Sequence, residues 1–434
     1  MEVIQERASA GQPMGLHSSD RVKDPVPWVA GLFLTTILLQ RIAVPGLPIP
    51  MTVPLTMAWM VIVWALGIVE LNRTRLLVWL FAGAASGLVM AGQVLLVAGP
   101  YISFNSWALW MVTWLPIVIE VKNRTRQTYL RCARAIAVIG MGLAVLSILF
   151  LAIQLAGVRY YDWLAAFVPR GLLVDGFVTT YPVAWDSPIY KSNGWIALEP
   201  SFMSFYLGMS LVCGMLARVS LAGVVLLMLG LLSTLAGSGL AIVAVLLGVL
   251  ILQGQTYMVR RYAVPMILTT ALFAATNLGR ALFSRVTEFG SSNSSTALRA
   301  VQPYIELWPY WIADPPGIFL GHGAGSSGDV VRSLGLEGLL VPSIAKVIFD
   351  YGLIGGALLI ALMGITFLKS PSPAFGFTLA ASMFFLQAAA QPLVICCILL
   401  TAIWAPAVQT VNLHPPGPRS LGDKEQLRVA AAAK

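Results

Sequence analysis

The spacing of its apolar runs limits the fold of this chain more than any other feature. About 20 helical residues cross a hydrocarbon core, so runs of roughly 17–25 apolar residues mark candidate spans. They fall at 27–40, 50–70, 76–98, 105–121, 135–157, 201–217, 219–236, 238–254, 263–279, 344–368, 374–389 and 391–408. The first is short and the last two share one long run, which gives about 12 spans, with 10–12 as the range. With 58% hydrophobic and 10% charged residues, the chain has too little polar surface to cover itself in water. The expected fold is an all-α polytopic integral membrane protein. A single transmembrane domain (27–408) lies between polar tails at 1–26 and 409–434, and no twofold internal repeat divides it.

Charge placement sets the expected topology. "NRTR" (72–75), "KNRTRQTYLRCAR" (122–134), "RR" (260–261) and Lys369 fall in alternate gaps, on the same side as both tails. That side holds the larger share of the 27 Lys and Arg, which makes it and both termini cytoplasmic by the positive-inside rule. The net charge of +9 is therefore a topology signal, and no nucleic-acid partner is expected. Residues 1–25 lack an early apolar region, so no cleavable signal peptide is expected. Cys132, Cys213, Cys396 and Cys397 have no metal-ligand spacing and read as small core residues.

Two gaps on the far side are long, 158–200 and 280–343, and both are rich in Trp, Tyr, Pro and Gly. Ordered loops of such length usually have a function. They are expected to carry short interfacial helices. Within "STALRAVQPYIELWPYWIAD" (295–314), Pro303 and Pro309 are expected to break any helix.

The exported basic residues are Arg41, Arg159, Arg170, Lys191, Arg280, Arg285, Arg299, Arg332 and Lys346. Lys191, Arg285, Arg299 and Lys346 flank spans or sit inside the long loops, where such cations suit a lipid diphosphate. The alternative is that they snorkel to the interface or pair with Glu306, Asp314 and Glu337. Glu199 precedes Pro200 and is held extended at a helix start. Its carboxylate either answers the helix dipole or binds a sugar hydroxyl and takes its proton. Lys346 and Asp350 lie one turn apart in "IAKVIFDYG", where buried charge marks function unless the two simply pair. "GHGAGSSG" (321–328), which carries His322, is either a tight turn or a set of backbone amides for phosphate or glycan. No HExxH, DxD-like or paired-Cys constellation occurs, so neither a metal nor another cofactor is expected.

Three segments, in this order, resemble the O-antigen polymerase and ligase superfamily, polytopic enzymes of the bacterial inner membrane. They are "KSNGWIALEPSFMSFYL" (191–207), "ALRAVQPYIELWPYWIADPPGIFLGHGAGSS" (297–327) and "FDYGLIGG" (349–356). The resemblance covers roughly 185–360; the earlier spans match in hydropathy alone. Ligases of that family carry a His near the end of the second long loop. The matching positions here are Leu340, Val341 and Pro342, which favours a polymerase.

The resemblance implies glycosyl transfer between undecaprenyl-diphosphate-linked glycans, as donor and acceptor, at the outer face. It also implies membrane lipids, and a chain-length regulator and flippase as partners. It assigns the leaving diphosphate to Arg299 first, then Lys191 and Arg285, and the acceptor hydroxyl to Glu199. His322 and Lys346 follow as substrate contacts. Trp195, Trp308, Tyr310 and Trp311 offer flat faces to sugar rings, as an interfacial aromatic belt also would. The competing readings are a ligase, a secondary transporter and a flippase.

Overall fold

The computed structural model describes residues 23–47, 49–97, 99–183, 187–287, 300–336 and 339–405. Nearly all its regular structure is helical. Helices α1 (Val26–Leu39) and α2 (Thr52–Ala65) lead through strand β1 (Val69–Leu71) into α3 (Arg73–Leu96). Helix α4 (Phe104–Trp114) leads through a 3-10 turn and strand β2 (Ile119–Val121) into α5 (Arg126–Leu155). A short α6 (Trp163–Phe167) precedes α7 (Pro200–Leu216), α8 (Leu221–Ser233), α9 (Ser238–Leu252), α10 (Thr256–Ala274) and α11 (Asn277–Thr287). The remainder comprises α12 (Gln302–Ala313), α13 (Pro315–Leu320), α14 (Ser326–Ser333), α15 (Ser343–Leu368), α16 (Pro373–Ser382) and α17 (Gln391–Leu400).

Every apolar run carries a helix, but the lengths are uneven. Helices α3, α5 and α15 are long and apolar enough to cross a membrane. Helices α10 and α11, bent by 105° at their junction, make a fourth if taken together. The shorter apolar helices have 10–17 residues, or about 15–25 Å at the helical rise per residue. Outward faces are greasy: Leu88 is 74% exposed, Leu95 81% and Leu252 89%. Surfaces of that kind fit lipid rather than water.

Polar tethers define the two ends of the bundle. At one end β1 and β2 pair antiparallel and set Glu70 opposite Glu120. Like charges so placed repel, and Arg124 lies between them, 3.3 Å from Glu70 and 2.8 Å from Glu120. Arg75 donates to the carbonyls of Ala402 (2.6 Å) and Ala405, just beyond α17. Tyr129 reaches Leu400 O at 3.1 Å, Arg134 reaches Ala217 O at 3.3 Å, and Arg131 pairs with Asp24. The starts of α1, α3 and α5 and the ends of α7 and α17 therefore share one basic end. The long loops gather at the other ends of α1, α3 and α5.

Helices α7 and α17 form the centre. All of α7 except Ser201 is buried, and so is every residue of α17. Helix α7 packs on α5, α8, α9 and α17, while α17 also meets α1, α2 and α4. Close approach rests on small residues, as in other lipid-embedded bundles. Ser204 and Gly208 lie one turn apart on α7 and face Gly239 of α9. A Cβ on Gly239 would come within 1.9 Å of Ser204 O. Ser204 Oγ also accepts from the Gly239 amide at 3.0 Å and donates to Ala236 O at 3.0 Å.

The expectation for Pro303 and Pro309 is corrected, because α12 runs through both. Pro303 lies in the first turn, where a missing N–H removes no intrahelical bond. Pro309 does interrupt the ladder, but the helix is held from outside. Leu307 is buried with Val331, Leu339 and Phe349, and Tyr304 donates to Phe384 O at 3.0 Å.

Candidate functional site

The sequence candidates fall into two groups in the loop half of the bundle. The first surrounds residues 187–199, the segment that returns the chain to α7. Gln154 of α5 holds it at both amide atoms, accepting from Tyr190 N (2.8 Å) and donating to Tyr190 O (3.1 Å). Ser147 donates to Ser192 Oγ at 3.0 Å, and Asn193 donates to Thr179 O at 3.2 Å. Gly194 and Trp195 then take left-handed backbone angles, φ 59° and 62°. That conformation disfavours a Trp. It is fixed by Trp195 N donating to Asn193 Oδ1 (2.9 Å) and by Arg41 donating to Trp195 O (3.2 Å). The indole packs edge-on against Phe150, with centroids 4.9 Å apart.

Lys191 is buried, with its ammonium 5.5 Å from the centre of the Tyr181 ring. Glu199 is also buried and occupies the cap position of α7 in an extended conformation, as the following proline requires. Ser201 donates to Glu199 Oε2 at 2.9 Å.

Arg41 also forms an ion pair with Asp162 at 2.5 Å, which ties the end of α1 to the start of α6. Burial pushes the Asp162 carboxyl up. The Arg41 bond and charge, the Ala165 amide and the Thr179 hydroxyl outweigh that and hold it below the usual carboxylate range. A depressed carboxyl contributes stability that is complete above its unfolded value and lost as pH falls through the folded one. The stability gap between wild type and Asp162→Asn is therefore expected to be constant above about pH 4 and to shrink below it. Unfolding midpoints of the two proteins across that range check this.

The second group is built on a break in α15. At Gly352 the backbone leaves the helix, with φ 62° and ψ −165°. Residues 320–323 fill the break. His322 N donates to Phe349 O at 3.0 Å, and Gly323 N donates to Asp350 O at 3.1 Å. Gln93 of α3 donates to both Leu320 O and Asp350 O. The His322 ring stacks on Phe349 at 4.9 Å, and Gly317 lies against its far edge, where a Cβ would come within 2.7 Å.

The Asp350 side chain is fully buried and gathers four donors. They are Gly325 N (2.8 Å), Ser327 N (2.9 Å), Ser326 Oγ (3.3 Å) and the Lys346 ammonium. The glycine-rich turn thus directs these amides at a carboxylate of its own chain, and Lys346 pairs with that same carboxylate one turn away.

Beside this group lies a cleft of about 530 Å³ between α4, α14, the start of α15 and the turn before α17. Among the described residues assigned a substrate role, Lys346 alone lines it, together with the end of the glycine-rich turn. Its other polar walls include Ser327, Gln387 and Arg332, and its apolar walls include Trp110 and Trp114. Both Ser327 and Gln387 are more than nine-tenths buried. The Ser327 hydroxyl and the Gln387 Nε2 have no protein partner among the described residues. Gln387 is fixed by its backbone, since residues 386–388 bridge to 341–343.

Other candidates stand apart from the cleft lining. Tyr310 and Trp308 are exposed on α12, and Trp308 packs on Trp311 at 5.0 Å. Arg299 and Glu337 lie outside the described residues, as do the side chain of Arg285, residues 1–22 and the whole C-terminal tail. Among the described residues, no three His, Cys, Asp or Glu side chains gather where they would hold a metal ion. No protein-family model matches the chain, and no curated protein matches it.

Proposed function

We propose that this protein is a bacterial inner-membrane glycosyltransferase that polymerises oligosaccharide repeat units carried on undecaprenyl diphosphate. About twelve helical segments embed it in the bilayer, with the basic end cytoplasmic and the long loops outside. One observation carries the reading. A cleft with polar groups on one part of its wall and tryptophans on another opens in the loop half of an apolar bundle, where a lipid-linked sugar would arrive. The order of the three resembling segments supports the same assignment.

In the reaction, the acceptor hydroxyl oxygen attacks the anomeric carbon of the growing glycan. The bond from that carbon to the diphosphate oxygen breaks, and undecaprenyl diphosphate departs with the electron pair. Fixed cations stabilise that charge without a metal. Arg299, Lys191 and Arg285 are assigned this role. Glu199 orients the acceptor hydroxyl and takes its proton. Lys346 and His322 border the substrate region, and Trp195 and Tyr310 are sugar contacts.

The break in α15 offers some support to a second reading, a secondary transporter, since broken helices expose carbonyls to ions. Here Phe349 O and Asp350 O are already occupied by the His322 and Gly323 amides and by Gln93, which leaves the polymerase as the stronger reading.

The lipid-linked glycan profile of a deletion strain tests it. Single repeat units held on lipid are expected. Full-length polymer on lipid would mean a ligase, and an unchanged profile would exclude both. In the complemented strain, Glu199→Ala and Arg299→Ala are each expected to abolish polymer at normal protein level, and polymer from both would remove the assigned site.

A further inference from the structure

The charge balance of the cleft identifies which part of a lipid-linked glycan it suits. Its two cationic wall residues are both matched. Lys346 is paired with buried Asp350, and Arg332 lies 3.3 Å from Asp329. A diphosphate entering here would meet cations already neutralised by carboxylates, and would bring two or more negative charges near the buried Asp350. That is the wrong setting for an anion.

The unpartnered groups point the other way. A serine hydroxyl donates one hydrogen bond and accepts others, and a glutamine amide does both from its two ends. Buried polar atoms left without partners are costly and rare in native proteins. The Ser327 hydroxyl and the Gln387 amide nitrogen belong to residues that line the cleft and have no partner among the described residues, so a small side-chain rotation would offer them to a ligand's donors and acceptors. A sugar hydroxyl, which can accept from the amide nitrogen and both donate to and accept from the serine hydroxyl, complements such a pair. Trp110 and Trp114, their rings stacked 5.6 Å apart at 29°, are buried and form an apolar part of the cleft wall.

We propose that this cleft is a carbohydrate subsite that takes an uncharged, hydroxyl-bearing segment of the glycan, with Gln387 and Ser327 as its hydrogen-bonding groups and Trp110 as its apolar wall. The proposal rests on reading the chain as a lipid-linked glycan polymerase. It separates the sugar subsite from the diphosphate site assigned to Arg299, Lys191 and Arg285.

Titration calorimetry on the full chain in lipid nanodiscs tests it. One probe is the neutral oligosaccharide fraction released by mild acid from the lipid extract of the source cells; the other is inorganic pyrophosphate. The oligosaccharides are expected to bind the wild type, and Gln387→Leu and Ser327→Ala each to weaken them by about tenfold or more. Gln387→Asn, which keeps the amide, is expected to lose less. Pyrophosphate is expected neither to compete with the oligosaccharides nor to respond to these substitutions.

Absence of oligosaccharide binding by the wild type overturns the proposal, as does unchanged affinity in folded variants. Competition by pyrophosphate on the wild type would make the cleft an anion site, and that comparison stands even if a variant fails to fold. Oligosaccharide binding together with an unchanged lipid-linked profile in the deletion strain would leave the subsite standing and remove the polymerase reading.

Discussion

Asp350→Ala is expected to destabilise the purified protein by about 3–5 kcal/mol, the usual penalty for removing one partner of a buried ion pair. The carboxylate is fully buried, and its loss strands the Lys346 ammonium in a site only 16% exposed. It also orphans the amides of Gly325 and Ser327, which lie 2.8 and 2.9 Å from its oxygens. Asp350→Asn keeps an acceptor on one atom and is expected to lose less. Lys346→Met combined with Asp350→Asn is expected to recover part of the loss, because no unpaired charge then remains. Unfolding midpoints in detergent read the series, and proteolysis at 321–328 reads the loop directly. If Asp350→Ala unfolds within about 1 kcal/mol of wild type, the ion pair does not hold the glycine-rich turn.

Gly352→Ala is expected to be worse, at roughly 4 kcal/mol or more, because two independent penalties coincide. Its backbone angles belong to a region that only glycine occupies comfortably. A Cβ there would also come within 2.4 Å of Phe319 C and of Gly321 N, both rigid backbone atoms. The contact is mutual, since a Cβ on Gly321 would lie 2.4 Å from Gly352 N. Gly364 in the same helix is the control. Nothing lies within 4 Å of its Cβ position, so Gly364→Ala is expected to be neutral or to stabilise by about 0.5–1 kcal/mol. Membrane yield and unfolding midpoint separate the two. A Gly352→Ala protein with wild-type yield would mean that the break in α15 is not glycine-dependent.

The helices were legible in the sequence because apolar runs and intervening charges are local signals. The basic gaps at 72–75 and 122–134 come together at one end, where Arg75, Arg124, Arg131 and Arg134 find their partners. The Lys346–Asp350 pair was also readable, since four residues is one helical turn. Its remaining partners were not. Two are backbone amides more than twenty residues away, which carry no residue-type signature, and the third is the hydroxyl of Ser326 in the same turn.

The cleft was hidden for a related reason. Gln387 sits in "LQAAAQP", where an uncharged polar residue barely disturbs an apolar run. Ser327 read as part of a turn. Charge singles out Lys191, Glu199 and Lys346 in the sequence, whereas neutral side chains that end without partners carry no such mark. Arg41 stands out in the sequence as a basic residue in an expected exported gap, but its tie to Asp162 and Trp195 O depends on chain segments more than a hundred residues apart. The proline expectation failed because it weighed local propensity without the packing of Leu307 and Tyr304.

The burial of α17 has a consequence for how the bundle assembles during synthesis. This helix is the last described, yet it touches α1, α2, α4 and α7 and exposes none of its residues. It begins at Gln391, so the helices that surround it cannot complete their packing until this late segment has joined them. Arg75, made more than 300 residues earlier, cannot reach the Ala402 and Ala405 carbonyls until then. The basic end therefore cannot close before α17 is seated, which couples the start of α3 to a helix more than 300 residues away.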